Sequence, residues 1–240
     1  MKVSERISVW IKDIVQSADK KGVTLGISGG IDSAVVAKLS CMAIGAKNVL
    51  GLIMPCNSDP SDEKSALLLA GQIGIRTKRI ELDHVYEAMK ANNKEANQTA
   101  LANLKPRLRM CMLYYYANTL DYLVAGTGNR SEIMVGYFTK YGDGAVDMLP
   151  IGGLLKTQVR ELAEEIGIPK GIIGRTPSAG LWEGQTDENE LGLSYEELDK
   201  ILLAREKGPI KNASKEKVKR VNELIAKSAH KRCEAPTFVI

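Results

Sequence analysis

The sequence lacks the features that mark several large functional classes. No apolar run approaches the roughly 20 residues a membrane span needs, and Met1-Lys2-Val3-Ser4-Glu5-Arg6 is followed by no long apolar core of the kind a secretory signal carries. The four cysteines, Cys41, Cys56, Cys111 and Cys233, form no C-x-x-C pair. That argues against a zinc site and against a disulfide framework, and it fits a reducing cytoplasm. Buried packing is the reading for all four. No G-x-S-x-G occurs, and the two histidines, His84 and His230, stand far apart, so nothing calls for a triad or a covalent intermediate. His84 reads as a surface or capping residue. There is no internal repeat and no low-complexity segment.

What is present is ordinary for a water-soluble globular domain: 240 residues, 44% hydrophobic and 26% charged, enough for one sizeable core. The net charge of +4 is mild but uneven. Residues 200–232 hold 11 Lys or Arg against 3 Glu, so the rest of the chain is net acidic. A basic C-terminal segment suits a solvated helix face, the phosphates of a small substrate or nucleic acid.

The pattern along the chain is α/β. Val3, Ile7, Trp10, Ile11 and Ile14 recur at helical spacing over the first 16 residues. An apolar strand over 23–27 leads through glycines into a helix that ends near Gly45. The continuous apolar run 49–54 reads as a buried parallel strand. A loop over 55–60 follows, then a helix capped by Ser61 and running to about Ile73, then a short strand over 76–80. Residues 85–121 look helical, interrupted at Lys105-Pro106 because proline breaks the interior hydrogen-bond ladder. That break would put Arg107 and Arg109 in a first helical turn, where they oppose the dipole and invite an anionic partner. A fourth strand over 122–126 leads into Thr127-Gly128-Asn129-Arg130-Ser131-Glu132. The glycine- and aromatic-rich run 136–145 reads as a binding loop. A helix covers 156–166. Residues 168–190 show no secondary-structure pattern and read as a lid or a disordered segment. A capping box at Ser194 opens a further helix. Residues 207–214 read as a polar linker before a last helix over about 215–229. Alternation of strands and helices predicts a doubly wound parallel sheet, Rossmann-like, with C-terminal helices, and with ligands at the carboxyl ends of the strands.

The chemistry starts at Gly26-Ile27-Ser28-Gly29-Gly30-Ile31-Asp32-Ser33. A strand, a glycine turn and a helix N-terminus converge there into an anion site. Ser28 and Ser33 add hydroxyl donors, and Gly29 and Gly30 let backbone approach a phosphate. The loop is not the common P-loop, because Asp32 stands where that motif has lysine. Asp32 repels phosphate unless a divalent cation lies between them, so the loop predicts a nucleotide phosphate chain bound with Mg²⁺. Glu132, on the loop after another strand, is the second metal carboxylate. Lys156 and Ser178 are candidates to neutralise or hydrogen-bond the phosphates. Without a P-loop lysine, simple γ-phosphoryl transfer is disfavoured. A grip on the β- and γ-phosphates as a departing unit predicts adenylation with pyrophosphate release.

The loop Ser28-Gly29-Gly30-Ile31-Asp32-Ser33 resembles the signature of the N-type ATP pyrophosphatases. The later segments Gly126 to Glu132, Gly136 to Gly144, Lys156-Thr157-Gln158-Val159-Arg160, Pro177-Ser178-Ala179 and Gly184 to Glu188 resemble the NAD⁺ synthetase family. The resemblance runs in order from about residue 22 to His230-Lys231-Arg232 and implies a single synthetase domain over 1–240, without an amidase domain. It implies ATP on Gly26, Ile27, Ser28, Gly29, Gly30, Ile31, Asp32 and Ser33, with Thr127, Lys156 and Ser178 also in contact, and Mg²⁺ on Asp32 and Glu132. It implies that the deamidated dinucleotide meets Arg107, Lys140, Asp147, His230 and Lys231, and that Asp143 positions or deprotonates ammonia. It also implies a cytoplasmic homodimer with a substrate site across the interface, to which the tyrosines 114–116 would contribute, and neither nucleic acid nor membrane as partner. Competing readings are another ATP pyrophosphatase, such as a GMP synthetase-like amidating enzyme or a tRNA modifier, and a non-catalytic ATP-binding sensor.

Overall fold

The structure, a computed structural model, describes residues 1–182, 184–207 and 214–238. The chain runs α1 (Val3–Ser17), β1 (Gly22–Gly26), α2 (Ile31–Ile44), β2 (Val49–Ile53), α3 (Pro60–Ile73), β3 (Arg76–Arg79), α4 (Asp83–Lys90) and α5 (Gln98–Leu120). It continues through β4 (Tyr122–Val124), α6 (Arg130–Val135), α7 (Lys156–Glu165), α8 (Lys170–Ile173), α9 (Asp187–Leu191), α10 (Tyr195–Lys207) and α11 (Lys215–Lys227).

The four strands form one sheet in the order β3-β2-β1-β4, with every pair parallel. Side chains alternate across it. Val23, Leu25, Val49 and Ile53 join one cluster with Ile11 and Val15 of α1, Val35 and Leu39 of α2, and Val159 and Leu162 of α7. Leu50 and Leu52 join a second with Tyr86 of α4 and Leu108 of α5. Both faces are therefore covered, as the apolar runs of β1 and β2 require. Arg76, Thr77, Lys78 and Arg79 of the edge strand β3 are all exposed, and their charges discourage pairing with another chain. A third cluster, with Val135, Leu191, Tyr195, Leu198, Ile201 and Val221, packs the C-terminal helices against α6.

The sheet order sets the position of the site. From β1 the chain crosses to β2 on one side, while β4 lies on the other. The loops after β1 and β4 thus flank a switch point, where doubly wound sheets bind ligands. A bridge from Ala125 to Met148 brings the 136–150 segment to the same edge.

Several expected boundaries change. Asp59, not Ser61, caps α3: its Oδ1 accepts from Ser61 N at 2.7 Å, and Pro60 takes the first helical position, where its missing N–H costs nothing. The helical stretch over 85–121 is interrupted at 91–97, not at Lys105-Pro106. There Asn97 caps the second helix, accepting from Ala100 N at 2.9 Å. Pro106 lies inside α5, which continues unbroken. Arg107 and Arg109 are consequently mid-helix residues, and the first-turn argument for an anion does not hold. The 168–190 stretch contains α8 and the start of α9, which leaves 174–182 and 184–186 as the irregular part. Of the expected 207–214 linker, residues 208–213 lie outside the described residues.

Candidate active site

The loop between β1 and α2 is held in shape by its own hydroxyls. Ser33 Oγ donates to Gly30 O at 3.0 Å and accepts from Ser28 N at 3.3 Å, while Gly30 N donates to Ser28 Oγ at 3.2 Å. The two Oγ atoms lie 3.2 Å apart. Gly29 has φ +77°, and a Cβ there would come within 2.8 Å of Asp62 O and Ser65 Cβ, so only glycine fits. The result is a turn whose free N–H groups start α2.

Asp32, in the first turn of α2, meets the loop after β4 through Asn129. This fully buried side chain donates from Nδ2 to Asp32 Oδ1 at 3.0 Å, and its Oδ1 accepts from Glu132 N at 3.1 Å. Glu132 Oε2 returns to Asn129 N at 3.3 Å. The capping box of α6 therefore also fixes the distance between the two carboxylates. Lys156, first residue of α7 and 2% exposed, inserts its ammonium between them, with Nζ 2.5 Å from Asp32 Oδ2 and 3.1 Å from Glu132 Oε1. Its own N–H donates to Ser131 Oγ at 2.9 Å, and Ser131 donates in turn to Asp199. Burial pushes the Glu132 carboxyl up to about 7, with Lys156 pulling the other way. Burial also works against the Lys156 charge, but Asp32 and Glu132 outweigh it and hold its pKa above the ordinary lysine range.

Two carboxylate oxygens that converge on one cation fit Mg²⁺, which takes one or two carboxylates and fills its shell with phosphate oxygens and water. Among the described residues no group of three Asp, Glu, His or Cys could hold a metal.

A cavity of about 1230 Å³ opens above this cluster. Single small-ligand pockets span roughly 300–1,000 Å³, so the space accommodates more than one substrate. Gly26, Ile27, Ser28, Gly30, Ile31, Asp32, Ser33, Thr127, Glu132, Asp143, Lys156, Ser178 and Lys231 all line it, so the structure gathers most of the expected site residues. Asp143 Oδ1 accepts from Thr139 N at 2.9 Å. Lys231 donates to Gly136 O at 2.8 Å and Phe138 O at 2.7 Å, tying the tail to the binding loop. Gly136 permits this approach, since a Cβ on it would overlap Ser228. The lid is anchored as well. Ser178 Oγ donates to Gln185 O at 2.7 Å, Gln185 Nε2 and Tyr137 Oη both donate to Glu190 Oε2, at 2.6 and 2.5 Å, and Arg175 pairs with Asp62 of α3.

Arg107, Lys140, Asp147 and His230 do not line the cavity. Arg107, Lys140 and His230 gather on an adjoining face: Arg107 Nη2 lies 3.4 Å from Lys140 O, and Lys140 Nζ 2.5 Å from His230 O. The Asp147 carboxylate accepts from Val124 N at 2.7 Å and from Tyr114 Oη at 3.1 Å, fixing the loop beside β4. The cavity also takes in residues outside the expected set, among them Tyr137, Asp187 and Arg109, the last read from the sequence only as a neighbour of Arg107 that invites an anion. Arg109 donates to Met54 O at 3.2 Å and Ser58 Oγ at 3.3 Å, and the described residues offer it no carboxylate in salt-bridge reach. Tyr137 and Asp187 sit where the lid meets the carboxylate pair. The weak signal for all three was their place within segments already singled out.

Residues 3–235 match the NAD synthase family. An NH(3)-dependent NAD(+) synthetase of Archaeoglobus fulgidus is 50% identical over 233 residues, 96% of this chain and 94% of the relative. The solved structure of NMN synthetase from Francisella tularensis superposes with a TM-score of 0.93 at 38% identity, covering 99% of this chain and 98% of that one. The NH3-dependent NAD synthetase from Campylobacter jejuni, in complex with the nitrate ion, superposes with a TM-score of 0.86 at 29% identity, both chains covered fully. A parallel sheet with a glycine turn at its switch point, matched along nearly the whole length by these relatives, places this chain in the NAD synthase family.

Proposed function

We propose that this chain amidates the nicotinate carboxylate of deamido-NAD⁺ with free ammonia, consuming ATP and releasing NAD⁺, AMP and pyrophosphate. The observation that carries the reading is the Asp32–Lys156–Glu132 cluster beside a lysine-free glycine loop, in a chain 50% identical to an NH(3)-dependent NAD(+) synthetase. A carboxylate oxygen of the substrate attacks the α-phosphorus of ATP, and the bond to pyrophosphate breaks. Ammonia then forms the C–N bond of the acyl-adenylate, AMP leaves, and the nitrogen gives up a proton. The N–H groups and hydroxyls of Gly26 to Ser33 hold the phosphates, with Thr127 and Ser178 in contact and Lys156 neutralising charge. Asp32 and Glu132 would hold Mg²⁺, which when bound stabilises negative charge on the phosphates. Asp143 positions ammonia.

Arg107, Lys140, Asp147, His230 and Lys231 hold the nicotinate nucleotide. Four of these lie outside the cavity, and exposed Tyr115 lies on α5 with Arg107 while exposed Tyr141 follows Lys140 in the chain. A homodimer placing that face against a second copy would complete the substrate site. No helix among the described residues is long and apolar enough to cross a membrane, and four free cysteines suit work in the cytoplasm. The reaction is tested by incubating the protein with ATP, Mg²⁺, ammonium and deamido-NAD⁺ and measuring NAD⁺, AMP and pyrophosphate. Equal yields are expected, and ADP with phosphate would refute the adenylation. The likeness to an NMN synthetase, at a TM-score of 0.93, favours a second reading, the same amidation on the mononucleotide. Running both acids at equal concentration decides between them by the ratio of kcat/KM.

A further inference from the structure

Tyr195 opens α10, beyond the lid, and its sequence context marks it only as a helix start. Its side chain is fully buried. Oη lies 2.9 Å from Asp187 Oδ2 and 3.3 Å from Glu132 Oε1, and Lys156 Nζ stands 4.9 Å from the ring centroid. Asp187 is 4% exposed, and its Oδ1 has no hydrogen-bond partner among the described residues. One phenol thus touches the proposed metal carboxylate on one side and a buried carboxylate at the end of the lid on the other.

A phenol has a single hydrogen. The shorter contact gives it to Asp187, so Tyr195 presents lone pairs towards Glu132. Glu132 Oε1 is then turned to the Lys156 ammonium at 3.1 Å, the one cation paired with it among the described residues. Were the tyrosine hydrogen to swing to Glu132, it would occupy the oxygen that faces the cation position. A core-filling role needs the ring alone. It does not need the hydroxyl to be set between two carboxylates, nor a buried carboxylate oxygen left unpaired, which is costly.

We infer that Tyr195 and Asp187 are positioning residues for Glu132, Asp187 holding the Tyr195 hydrogen so that the Glu132 carboxylate stays open to a divalent cation. The inference rests on the reading of Glu132 as a metal carboxylate and deepens it. It also gives the lid a route to the metal. Asp187 begins α9 directly after the irregular residues 184–186, and Gln185, Glu190 and Tyr137 are hydrogen-bonded beside it. Partners that orient metal ligands typically cost 10–100-fold in metal affinity when removed.

The test is Mn²⁺ electron paramagnetic resonance, titrating the purified full chain into Mn²⁺ with one equivalent of α,β-methylene-ATP. Tyr195→Phe keeps the ring and removes the hydroxyl. It is expected to weaken binding of the Mn²⁺ complex by about 10–100-fold, and to lower the melting temperature because it leaves the buried Asp187 Oδ2 without its donor. Asp187→Ala reads the same contact from the other side and is expected to lose a similar factor. The double variant should be no worse than Asp187→Ala alone, because both act through one hydrogen. Unaltered affinity in Tyr195→Phe or Asp187→Ala, alongside a clear loss in Glu132→Gln, overturns the inference and leaves the metal reading standing. Losses that multiply in the double variant overturn the shared hydrogen. Binding unchanged in Glu132→Gln refutes the metal reading, and the inference with it.

Discussion

The Lys156 ammonium lies 2.5 Å from the Asp32 carboxylate although the two residues are 124 positions apart in the chain. The contact joins α7 to the start of α2, so the two loops of the switch point share one charge cluster. Such a cluster is a poor source of stability, since desolvation offsets most of its attraction, but removing one partner is costly.

Lys156→Met leaves Asp32 and Glu132 without their cation. Breaking a buried pair costs about 3–5 kcal/mol, and protonation of Glu132 relieves part of that, so a loss near about 3 kcal/mol is expected. Glu132, already pushed up to about 7 with the lysine in place, rises further without it. At pH 6 it is protonated and neutral. At pH 8 more of it ionises beside Asp32, so the destabilisation is larger there. Urea unfolding at the two pH values measures this, and equal losses at both would show that the carboxylates do not repel. Pyrophosphate release should fall by about 10²–10³-fold, the usual cost of losing one charge-stabilising group.

The lid pair behaves differently. Arg175 and Asp62 are each about one-third exposed, at 34% and 30%, and ion pairs in such settings contribute about 0.2–1 kcal/mol. Arg175→Ala is expected to raise the KM for ATP by no more than about fivefold and to leave the melting temperature nearly unchanged. A far larger rise would mean that Arg175 contacts the nucleotide itself.

Of the four cysteines expected to be buried, only Cys56 is; Cys41 is partly buried, and Cys111 and Cys233 are exposed. Burial pushes the Cys41 thiol up to about 11, and Cys56 is also raised by burial. A thiol reagent at pH 8 should therefore modify exposed Cys111 and Cys233 quickly, and Cys41 and Cys56 only on unfolding. The sign of the stability effect follows. Between the ordinary value of 9.0 and about 11 the unfolded chain releases the Cys41 proton while the folded chain keeps it. Stability must then fall as pH rises through that window. Cys41→Ala should flatten the fall, and an unchanged slope would place the effect elsewhere.

Much of this was legible in the sequence where the controlling interactions are local. Gly26 to Ser33 announces a strand, a turn and a helix start within eight residues, and Asp32 and Glu132 follow strands that share a sheet edge. Pro106 was misleading because its local cost of about 3 kcal/mol is outweighed by the packing of Leu104, Leu108, Met112 and Tyr116 along α5. Arg107 and Arg109 could not be told apart because residues two apart in a helix point about 200° from each other. Which one faces the cavity depends on how α5 is rotated against the sheet. Tyr195 was invisible as a site residue, since its partners Glu132 and Asp187 come from segments that only the packed C-terminal helices bring to it.

The exposed face beside the cavity yields the last prediction. Tyr115, on α5 with Arg107, is 64% exposed, and Tyr141, next to Lys140 in the chain, 58%. Large aromatics left in water beside cations that have no carboxylate partner among the described residues are better explained by a partner surface than by solvent alone. If that surface is a second copy, Tyr115→Arg places like charges against each other across a two-fold axis. Sedimentation should then show a dimer for the unaltered protein and a monomer for the variant. ATP binding, which uses the cavity of one chain, should persist, while turnover with the nicotinate nucleotide should collapse through its KM. Lys140→Ala should raise that same KM and leave the KM for ATP unchanged. A Tyr115→Arg monomer with normal KM values would confine the nucleotide site to a single chain and leave Arg107, Lys140 and His230 without a substrate to hold.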